Sequence, residues 1–157
     1  MPGIVLATVG SGTPPAEVTV PHVRFGHIGY PRVLSLAYSA ADVVVIPSLQ
    51  DNFPNVALEA LACGVPVVGF AVGGIPDVVR PGLTGLLAAP ANVPALGAAI
   101  RELLTDPERR AAIGARCRTI AVEEYALARQ PQRYLELYRS ILESQASTGR
   151  VTAVTPA

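Results

Sequence analysis

Two carboxylates lie eight residues apart in the segment Asp51-Asn-Phe-Pro-Asn-Val-Ala-Leu-Glu59. At 3.6 residues per turn this spacing is just over two helical turns, which places both side chains within about 80° of each other around the axis. Pro54 suits the first turn of a helix, and the alanine- and leucine-rich run after it predicts a helix over 55–62 that ends at Gly64. Asp51 would then lie just ahead of this helix and Glu59 two turns inside it.

This arrangement points to the binding of a phosphorylated sugar. The first turn of a helix has unpaired N–H groups and a partial positive charge, so it attracts phosphate. Carboxylates accept hydrogen bonds from hydroxyl groups. A phosphate site between two such acceptors suits a sugar nucleotide. On spacing alone, the alternative stays open that Asp51 caps the helix and Glu59 is simply solvated.

The surrounding sequence predicts that these residues lie at one edge of a parallel sheet. Apolar, β-branched runs predict strands, and 3.6-residue periodicity predicts helices between them. The strands are expected over 4–9, 18–25, 43–46, 65–70 and 85–88, and the helices over 32–41, 55–62, 75–80, 93–104, 107–124 and 128–144. This alternation predicts an α/β fold with a doubly wound, mostly parallel, Rossmann-like sheet. Ligands of such sheets bind beyond the carboxyl ends of the strands, where the loops 10–12, 26–29, 48–55 and 71–74 would meet.

Composition narrows the class of protein further. The chain has 157 residues, half of them hydrophobic and 15% charged, which predicts one globular domain over 1–144 and a flexible tail over 145–157. The formal net charge is zero, so no nucleic-acid partner is expected. No apolar run reaches the roughly 18–20 residues of a membrane span, and no signal peptide is evident. Two cysteines give neither a disulfide framework nor a metal-ligand spacing, and Cys63 is expected to be a buried free thiol; a cytoplasmic location fits.

Four segments, 37–48, 51–59, 64–79 and 82–87, together resemble a known family in their order and spacing. They are similar to the C-terminal, donor-binding domain of the retaining glycosyltransferases of GT-B fold, family 4, and the resemblance extends over about 4–142. It implies a hexosyltransferase-type enzyme of carbohydrate biosynthesis that transfers sugar from a nucleoside-diphosphate sugar to an acceptor with retention. It also implies no cofactor and no divalent metal. One departure is visible, because Asp51 stands where the family usually has the first Glu of a Glu-x7-Glu pair.

The resemblance also implies roles for individual residues. Asp51, the expected catalytic residue, would accept from hydroxyls of the donor sugar, and Glu59 from the ribose diol. Glu59 is expected to be buried among apolar neighbours, where it would need such a partner. The amides of Phe53 and Asn55 would hold the diphosphate. His27 is either a ligand contact or a solvent-exposed loop residue, and its backbone would meet the base. The full expected donor-binding set is Gly10, Gly12, His27, Ile28, Asn52, Phe53, Pro54, Asn55 and Glu59.

Some parts that the family usually carries are absent from this sequence. A strand that ends in Gly-Arg, a Lys-Gly helix start and the acceptor-binding domain cannot be found. In the strand order 3-2-1-4-5-6 the missing strand would be central, so the strands at 4–9 and 43–46 are expected to lack their shared neighbour. We therefore expect a chain truncated on its N-terminal side and inactive alone, which needs an acceptor-binding domain or a second chain. The full enzyme could associate peripherally with a membrane.

Two other interpretations stay open. The chain could be a non-catalytic, degenerate glycosyltransferase subunit that supports another chain, or, as a distant third, a sugar-nucleotide epimerase of GT-B fold. The spacing of Tyr134, Leu137, Tyr138 and Ile141 predicts a core-facing stripe on the last helix. His22 is expected to have a structural role.

Overall fold

In the computed structural model, which describes residues 3–12 and 18–147, five short parallel strands alternate with helices. The strands are β1 (Leu6–Val9), β2 (His22–Gly26), β3 (Val44–Ile46), β4 (Val67–Phe70) and β5 (Gly85–Ala88). The helices are α1 (Pro31–Ser39), α2 (Asn55–Ala62), α3 (Ile75–Val78), α4 (Val93–Thr105), α5 (Pro107–Glu124) and α6 (Gln130–Ser147), with a 3₁₀ turn at Leu127–Arg129. The expected α/β class with parallel strands is confirmed. Strands β1 to β4 start one to four residues later than expected, and β5 has the expected bounds.

The strands form two separate parallel sheets. One contains β1 and β2, and the other contains β3, β4 and β5 in that order. Within the described part of the chain, the second edge of β1 and the second edge of β3 pair with no strand. In the described residues β1 and β3 therefore share no neighbouring strand, and the missing central strand stays a prediction.

The hydrophobic core belongs almost wholly to the second sheet. All four residues of β4 are buried. Helices α2 and α4 pack against that strand, and α5 packs against these two helices. Among the described residues before Ile46, none is buried. Phe25 on β2 is 53% exposed and Leu36 on α1 is 68% exposed. The unit made by β1, β2 and α1 therefore adds little to the core.

Helix α2 is fixed at its carboxyl end by a Schellman motif. Gly64 has a φ of +75°, its N–H donates to the carbonyl of Leu61, and the N–H of Val65 donates to that of Ala60. On α5, a Cβ at Gly114 would overlap the carbonyl oxygen of Gly64. The glycine therefore lets α5 approach the end of α2 more closely than any other residue would allow.

The prediction that the last helix carries a core-facing stripe is wrong. Tyr134, Leu137, Tyr138 and Ile141 are between 42% and 57% exposed. Helical periodicity shows which residues share a face of the helix, but not whether another element covers that face. The packing contacts of α6 are mainly with the preceding 3₁₀ turn. The expected tail falls largely outside the described residues, because α6 continues through Ser147 and 148–157 are not described.

The two thiols differ in burial. Cys63 is only half-buried because it lies at the helix end, which corrects the expectation that it is buried. Cys117 on α5 is buried, and this burial raises the pKa of its thiol to about 12. Within the described ranges, no helix combines the length and the apolar character needed to cross a membrane.

The position of the core gives a first prediction. Leu103 on α4 is fully buried, so Leu103→Ala should lower the free energy of unfolding by about 2–5 kcal/mol. The matched change Leu36→Ala on the exposed face of α1 should change it by less than about 0.5 kcal/mol. Urea unfolding measures both values. Similar losses for the two variants would contradict a core confined to the second sheet.

Candidate functional site

Two loops meet at the carboxyl edge of the second sheet. We call residues 51–54, between β3 and α2, the motif loop, and residues 71–74, which follow β4, the glycine loop. The N–H of Gly74 donates to the carbonyl oxygen of Asp51 at 3.0 Å. A Cβ at Gly73 would overlap that same oxygen, and a Cβ at Gly74 would overlap the carbonyl oxygen of Asn52. The expected convergence is confirmed for these two loops, and their backbones touch because the second loop has no side chains there.

The motif loop leads into a helix start with open donors. Pro54 is the N-cap residue of α2, and its carbonyl accepts from the N–H of Ala57 at 3.0 Å. Within the described part of the chain, the N–H groups of Asn55 and Val56 donate to no acceptor. These two donors and the positive end of the helix dipole make this surface suitable for an anion.

Asp51 uses one carboxylate oxygen locally. Its Oδ1 accepts from the N–H of Phe53 at 3.1 Å, which closes a turn ahead of α2. The expectation that the amide of Phe53 is free for a diphosphate therefore needs correction, because that donor already has an acceptor. The amide of Asn55 stays open. Asp51 orders the motif loop, while Pro54 occupies the N-cap position.

Glu59 is exposed, which contradicts the expectation that it is buried. The side chains that α2 buries are those of Ala57, Ala60 and Leu61, on another face of the helix. The hydroxyl of Tyr38 on α1 donates to Oε2 of Glu59 at 2.8 Å. Partial burial of Tyr38 and this hydrogen bond raise the pKa of its phenol. This hydrogen bond fixes the orientation of the Glu59 side chain, and its other oxygen, Oε1, accepts no hydrogen bond from a described residue.

The contact of Tyr38 with Glu59 was not predicted from the sequence. The helical periodicity that predicted a helix over 32–41 gave the tyrosine no role. Its partner lies 21 residues further along the chain, so only the packing of α1 against α2 reveals the pair.

A shallow groove of about 350 Å³ opens beside Glu59. Helices α2 and α5 form its walls, and the lining is mostly apolar: Leu58, Glu59, Ala62, Arg118, Ala121, Val122, Tyr125 and Ala126. In the described ranges, no cluster of three or more His, Cys, Asp or Glu side chains could hold a metal ion. The groove therefore offers one carboxylate, from Glu59, one guanidinium, from Arg118, and a mostly apolar surface.

The remaining expected residues lie at the carboxyl edge of the first sheet. The N–H of Gly10 donates to the carbonyl of Gly26 at 2.7 Å, and both glycines have positive φ, +126° and +64°. The Arg24 guanidinium donates to the carbonyl oxygen of Gly12. His27 is exposed and Ile28 is half-buried. The loops 10–12 and 26–29 are therefore adjacent, as expected.

His22 has the expected structural role. Its Nε2 lies 2.9 Å from the hydroxyl oxygen of Thr8, so this hydrogen bond links β2 to β1.

The expected residues therefore form two groups. Asp51, Asn52, Phe53, Pro54, Asn55 and Glu59 lie around the start and middle of α2, and Gly10, Gly12, His27 and Ile28 lie on the first sheet. No hydrogen bond joins the two groups within the described part of the chain. Helix α1 follows β2 along the chain and packs against α2, where the hydroxyl of Tyr38 donates to Glu59.

Similarity to known proteins identifies the family of this chain. The sequence profile of the family described as glycosyl transferases group 1 matches residues 2–106. The chain is 44% identical over 92 residues to D-inositol 3-phosphate glycosyltransferase of Corynebacterium aurimucosum, covering 59% of this chain and 22% of that protein. It is 39% identical over 109 residues to alpha-maltose-1-phosphate synthase of Mycolicibacterium smegmatis, covering 66% and 28%. The chain therefore spans about a quarter of the length of these curated relatives.

Solved structures show the same fold. Sucrose-phosphate synthase of Thermosynechococcus elongatus matches with a TM-score of 0.69 and 36% identity, over 78% of this chain and 31% of that one. HepE of Anabaena in complex with UDP matches with a TM-score of 0.68 and 26% identity, over 76% and 32%. The expected family and fold are confirmed.

The contact between the two loops gives a second prediction. Gly73 has a φ of +51° and no space for a Cβ, so Gly73→Ala should destabilise the fold by about 1–3 kcal/mol. Gly97 on α4 has open space around its Cα, so Gly97→Ala should be neutral or slightly stabilising. Thermal unfolding monitored by circular dichroism compares the two. Equal stability of Gly73→Ala and the unchanged protein would refute the close approach of the loops.

Proposed function

Because this chain belongs to the glycosyl transferases group 1 family, we propose that it is the donor-binding domain of a glycosyltransferase. The ligand is a nucleoside-diphosphate sugar, bound where the motif loop meets the glycine loop. The observation that carries the proposal is the start of α2, whose Asn55 and Val56 amides are open beside the carboxylate of Asp51. The structures of HepE with UDP and with UDP-glucose support this ligand class.

The diphosphate is the part of the ligand that suits the start of α2. Its oxygens accept hydrogen bonds from backbone amides, and its negative charge is favoured by the helix dipole. Asp51 then lies next to the diphosphate, where a donor sugar would be. The carboxylate oxygen that does not bond to Phe53 is available to accept from a sugar hydroxyl.

The nucleoside would extend towards Glu59. The two hydroxyls of a ribose are adjacent, and a carboxylate that is already oriented by Tyr38 can accept from them. The base would contact the backbone of the loops that carry Gly10, Gly12, His27 and Ile28. The apolar groove beside Glu59 adds a surface on which part of the nucleoside could pack.

Catalysis in this proposal depends on orientation and charge. Sugar transfer with retention needs the departing diphosphate to be stabilised and the sugar to be held in place. Asp51 orients the sugar, and the amides at the start of α2 bind the leaving group. No cofactor or metal is part of the proposal, and the location is cytoplasmic.

The proposal also includes a missing part. The open edges of β1 and β3 leave backbone N–H and C=O groups without partners in a sheet. A parallel strand between them, from a longer form of the protein or from a second chain, would join the two sheets. It would also bring the two groups of site residues into one continuous edge. The chain alone is then inactive, and it needs an acceptor-binding partner.

The second candidate function is a non-catalytic subunit that supports another chain. The open strand edges and the exposed apolar face of α6 favour this candidate, because both are surfaces on which a partner could pack. Nucleotide binding separates the two proposals. A folded monomer that binds a nucleoside diphosphate supports the donor domain, whereas no binding of UDP, GDP or ADP supports the subunit.

Glu59→Gln tests the expected ribose contact. An amide replaces one acceptor oxygen, so nucleotide affinity should fall by about 1.5–3 kcal/mol, or roughly 10- to 150-fold. Isothermal titration with UDP, GDP and ADP measures it. Glu136→Gln on α6 is the matched control and should bind like the unchanged protein. Equal affinity of Glu59→Gln and its control would remove Glu59 from the site.

Asp51→Asn tests the expected sugar contact. Asparagine keeps an oxygen that can accept from the N–H of Phe53, so the motif loop should stay folded. Affinity for a nucleoside-diphosphate sugar should fall by more than affinity for the same nucleoside diphosphate. Titration of both ligands gives the two losses, and equal losses would show that Asp51 does not contact the sugar.

Amide hydrogen exchange tests the missing strand. Amides of β1 and β3 that face the open edges should exchange at least about tenfold faster than the amides of β4, which pairs on both sides. A longer protein that restores the central strand should slow them. Slow exchange throughout β1 and β3 in the isolated monomer would contradict the proposed gap.

A further inference from the structure

Tyr125, at the carboxyl end of α5, contacts two separate parts of the candidate site. Its hydroxyl donates to the carbonyl oxygen of Asp77 at 2.9 Å, and Asp77 lies on α3, directly after the glycine loop. Its ring lies 6.1 Å from the ring of Phe53 in the motif loop, centroid to centroid, with the planes tilted by 51°. One side chain therefore touches an element on each side of the contact between the two loops.

Arg80 holds the tyrosine hydroxyl in place. Its Nη2 donates to this hydroxyl at 3.0 Å, and its two terminal nitrogens also donate to the two carboxylate oxygens of Glu124. The guanidinium keeps the pKa of the Glu124 carboxyl below its usual range. The backbone N–H of Arg80 donates to the buried hydroxyl of Thr84 at 2.7 Å. Both the backbone and the side chain of Arg80 are thus fixed.

This cluster lies apart from the hydrophobic core. Tyr125, Arg80 and Glu124 are only half-buried, and none of them is among the buried residues around β4. Loss of the tyrosine should therefore affect the two loops more than the fold as a whole. The two loops are joined directly by the hydrogen bond from Gly74 to Asp51 and by close backbone packing, and Tyr125 adds an indirect connection through Phe53 and Asp77.

We propose that Tyr125 is a positioning residue that holds the motif loop against the glycine loop. Its ring packs against Phe53 in the motif loop, and its hydroxyl donates to α3, the first turn after the glycine loop. Arg80, which is paired with Glu124, donates to that hydroxyl and fixes its position. The consequence for ligands rests on the proposed function: Tyr125 sets the affinity for the diphosphate part of the donor by fixing where α2 begins. Asp77 takes part through its backbone carbonyl.

The first test needs no ligand. The Gly74 amide donates to Asp51, so its hydrogen exchange, followed by NMR, reports directly on the contact between the loops. In Tyr125→Leu this amide should exchange about tenfold faster than in the unchanged protein, while the β4 amides keep their rates. Tyr125→Phe keeps the ring, so it should give a smaller increase. Tyr138→Leu, a change at an exposed tyrosine of α6, is the control and should leave all these rates unchanged.

The second test separates positioning from general stability. Affinities for UDP and for UMP are measured by titration in the same three variants. Tyr125→Leu should weaken UDP binding by about fivefold more than UMP binding, because the second phosphate depends on the start of α2. Tyr125→Phe should recover part of this difference, and Tyr138→Leu should show none.

The outcomes decide the two proposals separately. Unchanged exchange of Gly74 in Tyr125→Leu overturns the positioning role, and so does equal acceleration of the β4 amides, which would mean a general loss of stability. If the unchanged protein binds no UDP, GDP or ADP, the proposed function fails. The exchange of Gly74 still decides whether Tyr125 holds the loops together.

Discussion

The close packing of α2 against β4 and α5 determines where the candidate donor contacts around this helix lie. Its small and apolar side chains, Ala57, Ala60 and Leu61, are fully buried, which lets the helix sit deep in the core. Gly64 and Gly114 fix its carboxyl end, and the bond from Gly74 to Asp51 fixes the loop ahead of its start. Backbone contacts and small buried side chains, which have few rotamers, thus fix the positions of the open amides and of the two carboxylates.

Stability is distributed unevenly across this domain, and the uneven distribution bears on ligand binding. The residues proposed to bind the diphosphate and the sugar belong to the well-packed second sheet. The expected base-binding loops belong to β1 and β2, where no described residue is buried. A ligand that bridges the two sheets must order the weaker one, which costs conformational entropy and lowers affinity. A strand between the sheets would remove much of that cost by holding them together beforehand.

The sequence predicted the bounds of those helices that begin or end at a proline, a glycine or a capping residue. The bounds of α2 and α5 match the prediction, because Pro54, Gly64 and the Asp106-Pro107 pair are strong start or stop signals. Asp106 does accept from the N–H of Arg109 at the start of α5. Runs of β-branched residues showed where strands occur, but the exact start of a strand depends on its pairing, so four of the five described strands begin later than expected.

Contacts between distant segments could not be predicted in the same way. The exposure of Glu59 depends on which face of α2 meets the core. Apolar residues precede and follow Glu59 in the sequence, so the sequence did not show which face this would be. The bonds from Tyr38 to Glu59 and from Arg80 to Tyr125 join residues 21 and 45 positions apart. The stripe on α6 was correctly seen as apolar, but periodicity does not say whether another surface covers it.

A titration of the isotopically labelled protein with UDP, followed by NMR, tests the central claim most directly. The account predicts that the largest saturable shifts occur at the amides of Asn55, Val56 and Gly74, with smaller shifts in the loops after β1 and β2. Shifts that fail to saturate, or that concentrate on the exposed face of α6, would contradict a donor site at the start of α2.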